Sequence, residues 1–309
     1  MKNETDTYRL SPDCTMSIAP GWGCNLFSWK VDDTELMYCP LDLPENAEKI
    51  TGGGNPILFP SVGRTWDRSS GTPVQGIYRL HGSEKSYFMP SHGILFLCQF
   101  RRVQTEIAQD KVTALYELFV PENVREENYP FDVGLTQKFT LTPSSVELEA
   151  VAINKGDEIA PVAFGYHPYF RVSNALREGV ETRLPVTKYL HTTKDTVLLT
   201  GESEATDGVM KLESDVYYDH VFGNPIGRRM SLIDGRAGRA IHVDYDEEFE
   251  LFLVYSPDGS EFVCLEPWTR GLGAYERLRV PGWENGETIP VLRPGESRQF
   301  NAKFLVESL

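Results

Sequence analysis

The 309-residue chain lacks several common signposts of function. No run of about 18 apolar residues occurs, which excludes a membrane-spanning helix, and no membrane partner is expected. No Cys-x-x-Cys occurs either. The five cysteines, at 14, 24, 39, 98 and 264, are scattered and odd in number. That pattern argues against a disulfide framework or a zinc site, and it reads as small core residues in a reducing compartment. Positive charge is short: 30 Lys and Arg stand against 45 Asp and Glu, a net charge of −15. An acidic surface repels phosphate backbones, so no nucleic-acid partner is expected. The start, Met1 to Asp6, is polar and leads into no apolar segment, so a secretory leader is not expected and the cytoplasm is. Helical periodicity is scarce. The best short candidate is Leu272 to Leu278, weakened by Gly271 and Gly273.

What the chain does have is strands. Apolar and polar residues alternate through Lys111 to Phe119 and Ser145 to Ile153. Period two over that length marks half-buried strands. Similar segments run over Phe131 to Leu141, Asp195 to Leu199, Ala240 to Tyr245, Glu250 to Tyr255, Glu261 to Leu265 and Gln299 to Leu305. Turn signals such as Pro257-Asp258-Gly259 and Ile233-Asp234-Gly235 separate them. No linker, low-complexity tract or fixed-period repeat is visible. The expected fold is all-β: two large antiparallel sheets packed face to face, as one domain over residues 1–309. Such a sandwich leaves a concave face or edge loops free for a ligand.

Two stretches carry candidate chemistry. Phe164-Gly165-Tyr166-His167-Pro168-Tyr169-Phe170 sets a histidine among aromatics. Phe262-Val263-Cys264-Leu265-Glu266-Pro267-Trp268-Thr269 ends an apolar run on a carboxylate, again before proline and an aromatic. A buried glutamate is costly unless it is used or paired. An imidazole and a carboxylate among aromatic walls suit acid/base work on a molecule with apolar faces and polar edges, and a sugar ring has that shape. Opening a cyclic hemiacetal needs a base at the anomeric hydroxyl and an acid at the ring oxygen. Ordinary pKa values of about 6.5 for histidine and about 4.3 for glutamate make Glu266 the carboxylate base. His167 must then be protonated, which a nearby acid and the negative net charge favour. The two groups are expected on opposite sides of the anomeric carbon.

Five segments in order resemble the aldose 1-epimerase (galactose mutarotase) family, from about residue 20 to the C-terminus. They are Gly54-Asn55-Pro56-Ile57-Leu58-Phe59-Pro60-Ser61-Val62-Gly63-Arg64, Ser91-His92-Gly93, the His167 stretch, Tyr218-Asp219-His220-Val221-Phe222 and the Glu266 stretch. The resemblance implies a galactose mutarotase-like supersandwich that interconverts the α and β anomers of a hexose. It implies Glu266 as general base and His167 as general acid. It further implies His92 near the ring oxygen, Arg64 and Asp219 on sugar hydroxyls, and Trp268 on the apolar side of the pocket. The family needs no organic cofactor, and no metal ligand is implied. The implied partner is a small-molecule sugar, with monomer and homodimer both open.

The chain departs from the family pattern at two places. Gly63-Arg64 stands where an Asn-Arg pair is common, and His92-Gly93 is followed by Ile94-Leu95-Phe96-Leu97-Cys98 rather than by Phe-Ala-Arg. Sugar identity is therefore open. Arg68, Arg101, Arg102 and Arg270 are candidates for a phosphate if the sugar carries one, and an acidic sugar is a further alternative. His220 is a rival to Asp219 for a polar contact. A sugar-binding or regulatory sandwich without catalysis is the other class of reading.

Overall fold

The structure is a computed structural model, describing residues 4–41, 47–173 and 177–309. Two large sheets dominate it, and neighbouring strands in both run antiparallel. The larger sheet has nine strands. Its middle is built from Val133–Leu141, Ser145–Asn154, Ser297–Ser308 and Arg239–Tyr245. The second sheet has eight strands, with Tyr218–Pro225, Leu251–Ser256 and Phe262–Trp268 side by side near its centre. A four-stranded sheet, Asp6–Ser11 to Thr34–Glu35, precedes them.

Alternation explains the larger sheet. Val112–Phe119 buries every second residue, as the sequence period requires. In the second sheet the alternation disappears. Five of the six residues in Leu251–Ser256, and six of the seven in Phe262–Trp268, are buried. One face of those strands meets the larger sheet, where Tyr245 packs on Phe252 at 4.7 Å between ring centroids and Phe170 on Phe304 at 5.2 Å. Their other face is the floor of a cavity, described below.

Two expectations change in detail. Asp195 to Leu199 is not a strand: Lys194 to Thr196 form a turn and Val197 has a φ of 55°. The strand is Leu199–Ala205, an exposed edge of the second sheet whose mixed surface pattern carries little period-two signal. The short helix near Leu272 to Leu278 exists as a 3₁₀ segment, Ala274–Arg279, starting after Gly273 in the left-handed region.

Candidate active site

Strand geometry assembles the site. Cys264, Glu266 and Trp268 are two apart in one strand, so their side chains share a face. Cross-strand register extends that face. Asp219 pairs with Tyr255, Tyr255 with Cys264, and Cys264 with Tyr169, while Leu253 pairs with Glu266. His167 enters from the break between the short strands Gly165–Tyr166 and Tyr169–Arg171, where Pro168 has no N–H for a ladder. Its own backbone N–H donates to the Pro56 carbonyl at 3.0 Å. Gly165, opposite Trp268, lets the indole lie across the backbone: a Cβ there would come within 2.6 Å of Trp268 Cδ1.

Arg64, His92, His167, Asp219, Glu266 and Trp268 all line one cavity of about 650 Å³. That is within the usual size of small-molecule sites, about 300–1,000 Å³. Aromatic rings crowd its floor. His167 stacks on Tyr169 at 4.8 Å, and His92 stands edge-on to both His167 at 5.5 Å and Trp268 at 5.7 Å.

His167 Nε2 lies 3.4 Å from Glu266 Oε2, within ion-pair range but outside hydrogen-bond geometry. Glu266 is fully buried and His167 is 6% exposed. Both carboxylate oxygens of Glu266, Nδ1 of His167 and Nε1 of Trp268 are buried without a hydrogen-bond partner among the described residues. The Trp268 indole lies close enough to favour the ionised carboxylate, yet falls short of a formed hydrogen bond. Buried polar groups are nearly always satisfied, so this cluster is set for something that enters the cavity.

Burial governs the charges. It pushes the Glu266 carboxyl well above its ordinary pKa, and the negative charge of Asp219 adds to the effect. It holds His167 well below the usual histidine value, with His92 alongside pulling the same way. Burial therefore works against the expected imidazolium facing a carboxylate. Net negative charge spread over the surface is screened by water, whereas local desolvation acts at full strength. Burial favours the neutral tautomer, a carboxylic acid beside a neutral imidazole. The separation is corrected: at 3.4 Å the two groups are side by side.

His92 adopts a φ of 66° and accepts a hydrogen bond at Nδ1 from the backbone N–H of Gly63 at 3.3 Å. Burial, aided by the Arg64 guanidinium, lowers its pKa to about 4. At neutral pH it is then the Nε2–H tautomer, a fixed neutral donor. Asp219 is half-buried; burial raises its pKa, and the Arg64 charge opposes that rise. Arg64 itself is exposed at the cavity wall.

Other candidates fall away. His220 follows Asp219 on a strand and so faces the other side of the sheet, among Tyr189, Tyr218 and Phe222. Of the four arginines named for a phosphate, none lines the cavity. Arg68 pairs with Glu276, Arg102 with Asp6 and Arg270 with Glu250, and Arg101 lies over the Phe119 ring. Tyr255, Tyr217 and Lys49 line the cavity without having been anticipated. Only the register that sets Tyr255 opposite Asp219 places it there, and register is not written in a single segment.

The fold is galactose mutarotase-like. The structure matches the Slr1438 protein of Synechocystis sp. with a TM-score of 0.82 at 24% identity, covering 99% of this chain and 96% of that one. It matches a galactose mutarotase-like protein of Clostridium acetobutylicum at 0.78 and 17%, covering 99% of each. A galactose mutarotase-like protein of Lactobacillus casei gives 0.76 and 20%, covering 98% of this chain and 100% of that one. The chain belongs to the aldose 1-epimerase family, whose sequence profile matches residues 6–305.

Proposed function

We propose that the protein is a mutarotase: it equilibrates the α and β anomers of an aldose by acid/base ring opening and reclosure at Glu266 and His167. The observation that carries this reading is the pair of buried, unpartnered titratable side chains on the floor of an open cavity. A module that only bound sugar would gain nothing from leaving both groups unsatisfied.

The reaction moves one proton off the anomeric hydroxyl and places one on the ring oxygen. Those two oxygens sit on the same carbon, so adjacent groups reach both. In this reading the adjacent Glu266 and His167 share one proton. With that proton on His167, the carboxylate takes the hydroxyl proton while the imidazolium protonates the ring oxygen, and the C1–O5 bond breaks. The products are a free aldehyde, a carboxylic acid and a neutral imidazole. Rotation about C1–C2 and the reverse transfers close the other anomer. Burial favours the neutral tautomer; at 3.4 Å with no hydrogen bond formed, the two groups must close up before a proton passes between them. His92 supplies a neutral N–H to the ring oxygen, Arg64 and Asp219 take hydroxyls, and Trp268 offers an apolar face to the ring.

The test is polarimetry of freshly dissolved α-glucose and α-galactose. Wild type should speed the approach to anomeric equilibrium, and His167→Ala and Glu266→Ala should not. Saturable sugar binding with no acceleration on any aldose tried would replace the enzyme with a binding module. Lys49 and Arg64 both line the cavity and favour, as a second reading, a sugar carrying a negative group. Competition by glucose 6-phosphate that disappears in Lys49→Ala decides for it.

A further inference from the structure

We propose that His167, Cys264 and Glu266 form a binding site for a soft divalent cation, zinc or its cobalt surrogate, on the floor of the cavity. One nitrogen, one sulfur and one carboxylate oxygen from these residues lie within 4.8 Å of one another. Tetrahedral zinc with bonds of about 2.0–2.3 Å needs its ligand atoms about 3.3–3.8 Å apart. The His167–Glu266 separation of 3.4 Å already fits. The remaining separations, none above 4.8 Å, narrow to this range on binding.

Rigid elements hold the three donors. Cys264 and Glu266 are alternate residues of one buried strand, and Cys264 pairs with Tyr169, on whose ring His167 stacks. A second observation points to a ligand: both Glu266 oxygens are buried and unpartnered. Charge fits as well. A Cys264 thiolate and a Glu266 carboxylate balance a dication, so the occupied site is neutral and tolerates burial. The donor set selects the ion. One thiolate and one imidazole suit zinc, whereas magnesium and calcium require oxygen donors. Water or a hydroxyl completes the tetrahedron.

Binding replaces protons. Thiolate and carboxylate ligands must be deprotonated to bind, so occupation of the site releases protons. Zinc here occupies both groups assigned to acid/base work, so it inhibits mutarotation. Inhibition rests on the mutarotase reading, but metal binding does not.

The experiment titrates cobalt(II) into chelator-washed protein and follows the near-ultraviolet thiolate-to-cobalt band. Polarimetry with zinc runs in parallel. Expected results are one equivalent bound with the band present, and mutarotation lowered roughly 10²-fold or more, the share of one positioned proton-transfer group. A chelator should reverse the loss. Cys264→Ser should lose the band, and its mutarotation, whatever its level without metal, should no longer fall when zinc is added. Absence of the band in wild type, or a band or zinc inhibition surviving in Cys264→Ser, overturns the site. A band in a protein that accelerates no aldose leaves the metal site standing and removes the mutarotase reading.

Discussion

His167 Nε2 and Glu266 Oε2 meet at 3.4 Å although the residues are ninety-nine positions apart in sequence and neither side chain has another polar partner among the described residues. A buried acid and a buried base this close act as one titrating unit. Removing either member destroys the unit, so losses at the two positions should not add. His167→Asn and Glu266→Gln should each lower kcat/KM for mutarotation by roughly 10²–10⁴-fold. The double variant should fall no further than the worse single one. A double variant whose loss equals the product of the two would mean that the groups work independently.

The same unit sets the pH profile. Activity requires one proton on the pair. Below the acidic limb both groups are protonated, and above the alkaline limb both have lost their protons. Burial lowers His167 and raises Glu266, so the acidic limb falls well below pH 6.5 and the alkaline limb well above pH 4.5. His92, with a pKa of about 4, is a neutral donor at neutral pH. A kcat/KM profile with its acidic limb near the ordinary histidine value would contradict this ordering.

Local pattern reached the fold class and singled out His167 and Glu266, while Arg64, His92, Asp219 and Trp268 came from the family resemblance. Ser145–Asn154 alternates visibly, and His167 and Glu266 stand beside prolines that mark strand ends. Charge state was not legible. It depends on desolvation, which arises only when Phe262–Trp268 is buried within the folded sheet. Register was equally hidden. Nothing near Tyr255 announces that it will face Asp219 on one side and Cys264 on the other, and Cys264 read as a core residue because its neighbours in the chain are apolar. The edge strand Leu199–Ala205 was misplaced because an exposed strand has no buried face to impose a period.

Gly165 gives a test of how the apolar wall is held. Gly165→Ala places a methyl 2.6 Å from Trp268 Cδ1 and 3.1 Å from Cγ. Trp268 is 3% exposed and has little room to retreat. Overpacking of this kind costs about 1–3 kcal/mol. If the indole supports the sugar ring, KM should rise while kcat changes less. Denaturant unfolding and steady-state kinetics together check it, and unchanged values of both would show that the contact is slack.

Arg177 is buried and clamps the segment leading into the cavity. Its guanidinium donates to the Ser256 carbonyl at 3.1 Å and hydroxyl at 2.7 Å, and to the carbonyls of Ser214 at 2.7 Å and Val216 at 2.9 Å. Tyr217 and Asp219, which line the cavity, follow directly. Arg177→Met strands those carbonyls and should cost about 3 kcal/mol or more in urea unfolding. It should also raise KM for sugar, since the strand beginning at Tyr218 loses its anchor. Arg177→Lys, which keeps the charge but not the fork, should restore only part of either.

Glu266 also sets function against stability. Its folded pKa lies above its unfolded one, so the folded state binds more protons over the interval between them. The slope of unfolding free energy with pH is then negative: the contribution of this group is fully present below about pH 4.3, and it is lost as pH rises through the folded value. His167 acts in the opposite sense. Its folded pKa is lowered, so its neutral burial costs stability as pH falls below about 6.5. Glu266→Gln removes the first dependence and leaves the second. The variant should be inactive yet have a higher Tm than wild type at pH 8, with the gain shrinking toward pH 5. Thermal unfolding of both proteins across that range is the measurement. A variant less stable than wild type at pH 8 would mean that the carboxylate is satisfied in solution, against the unpartnered oxygens on which the site rests.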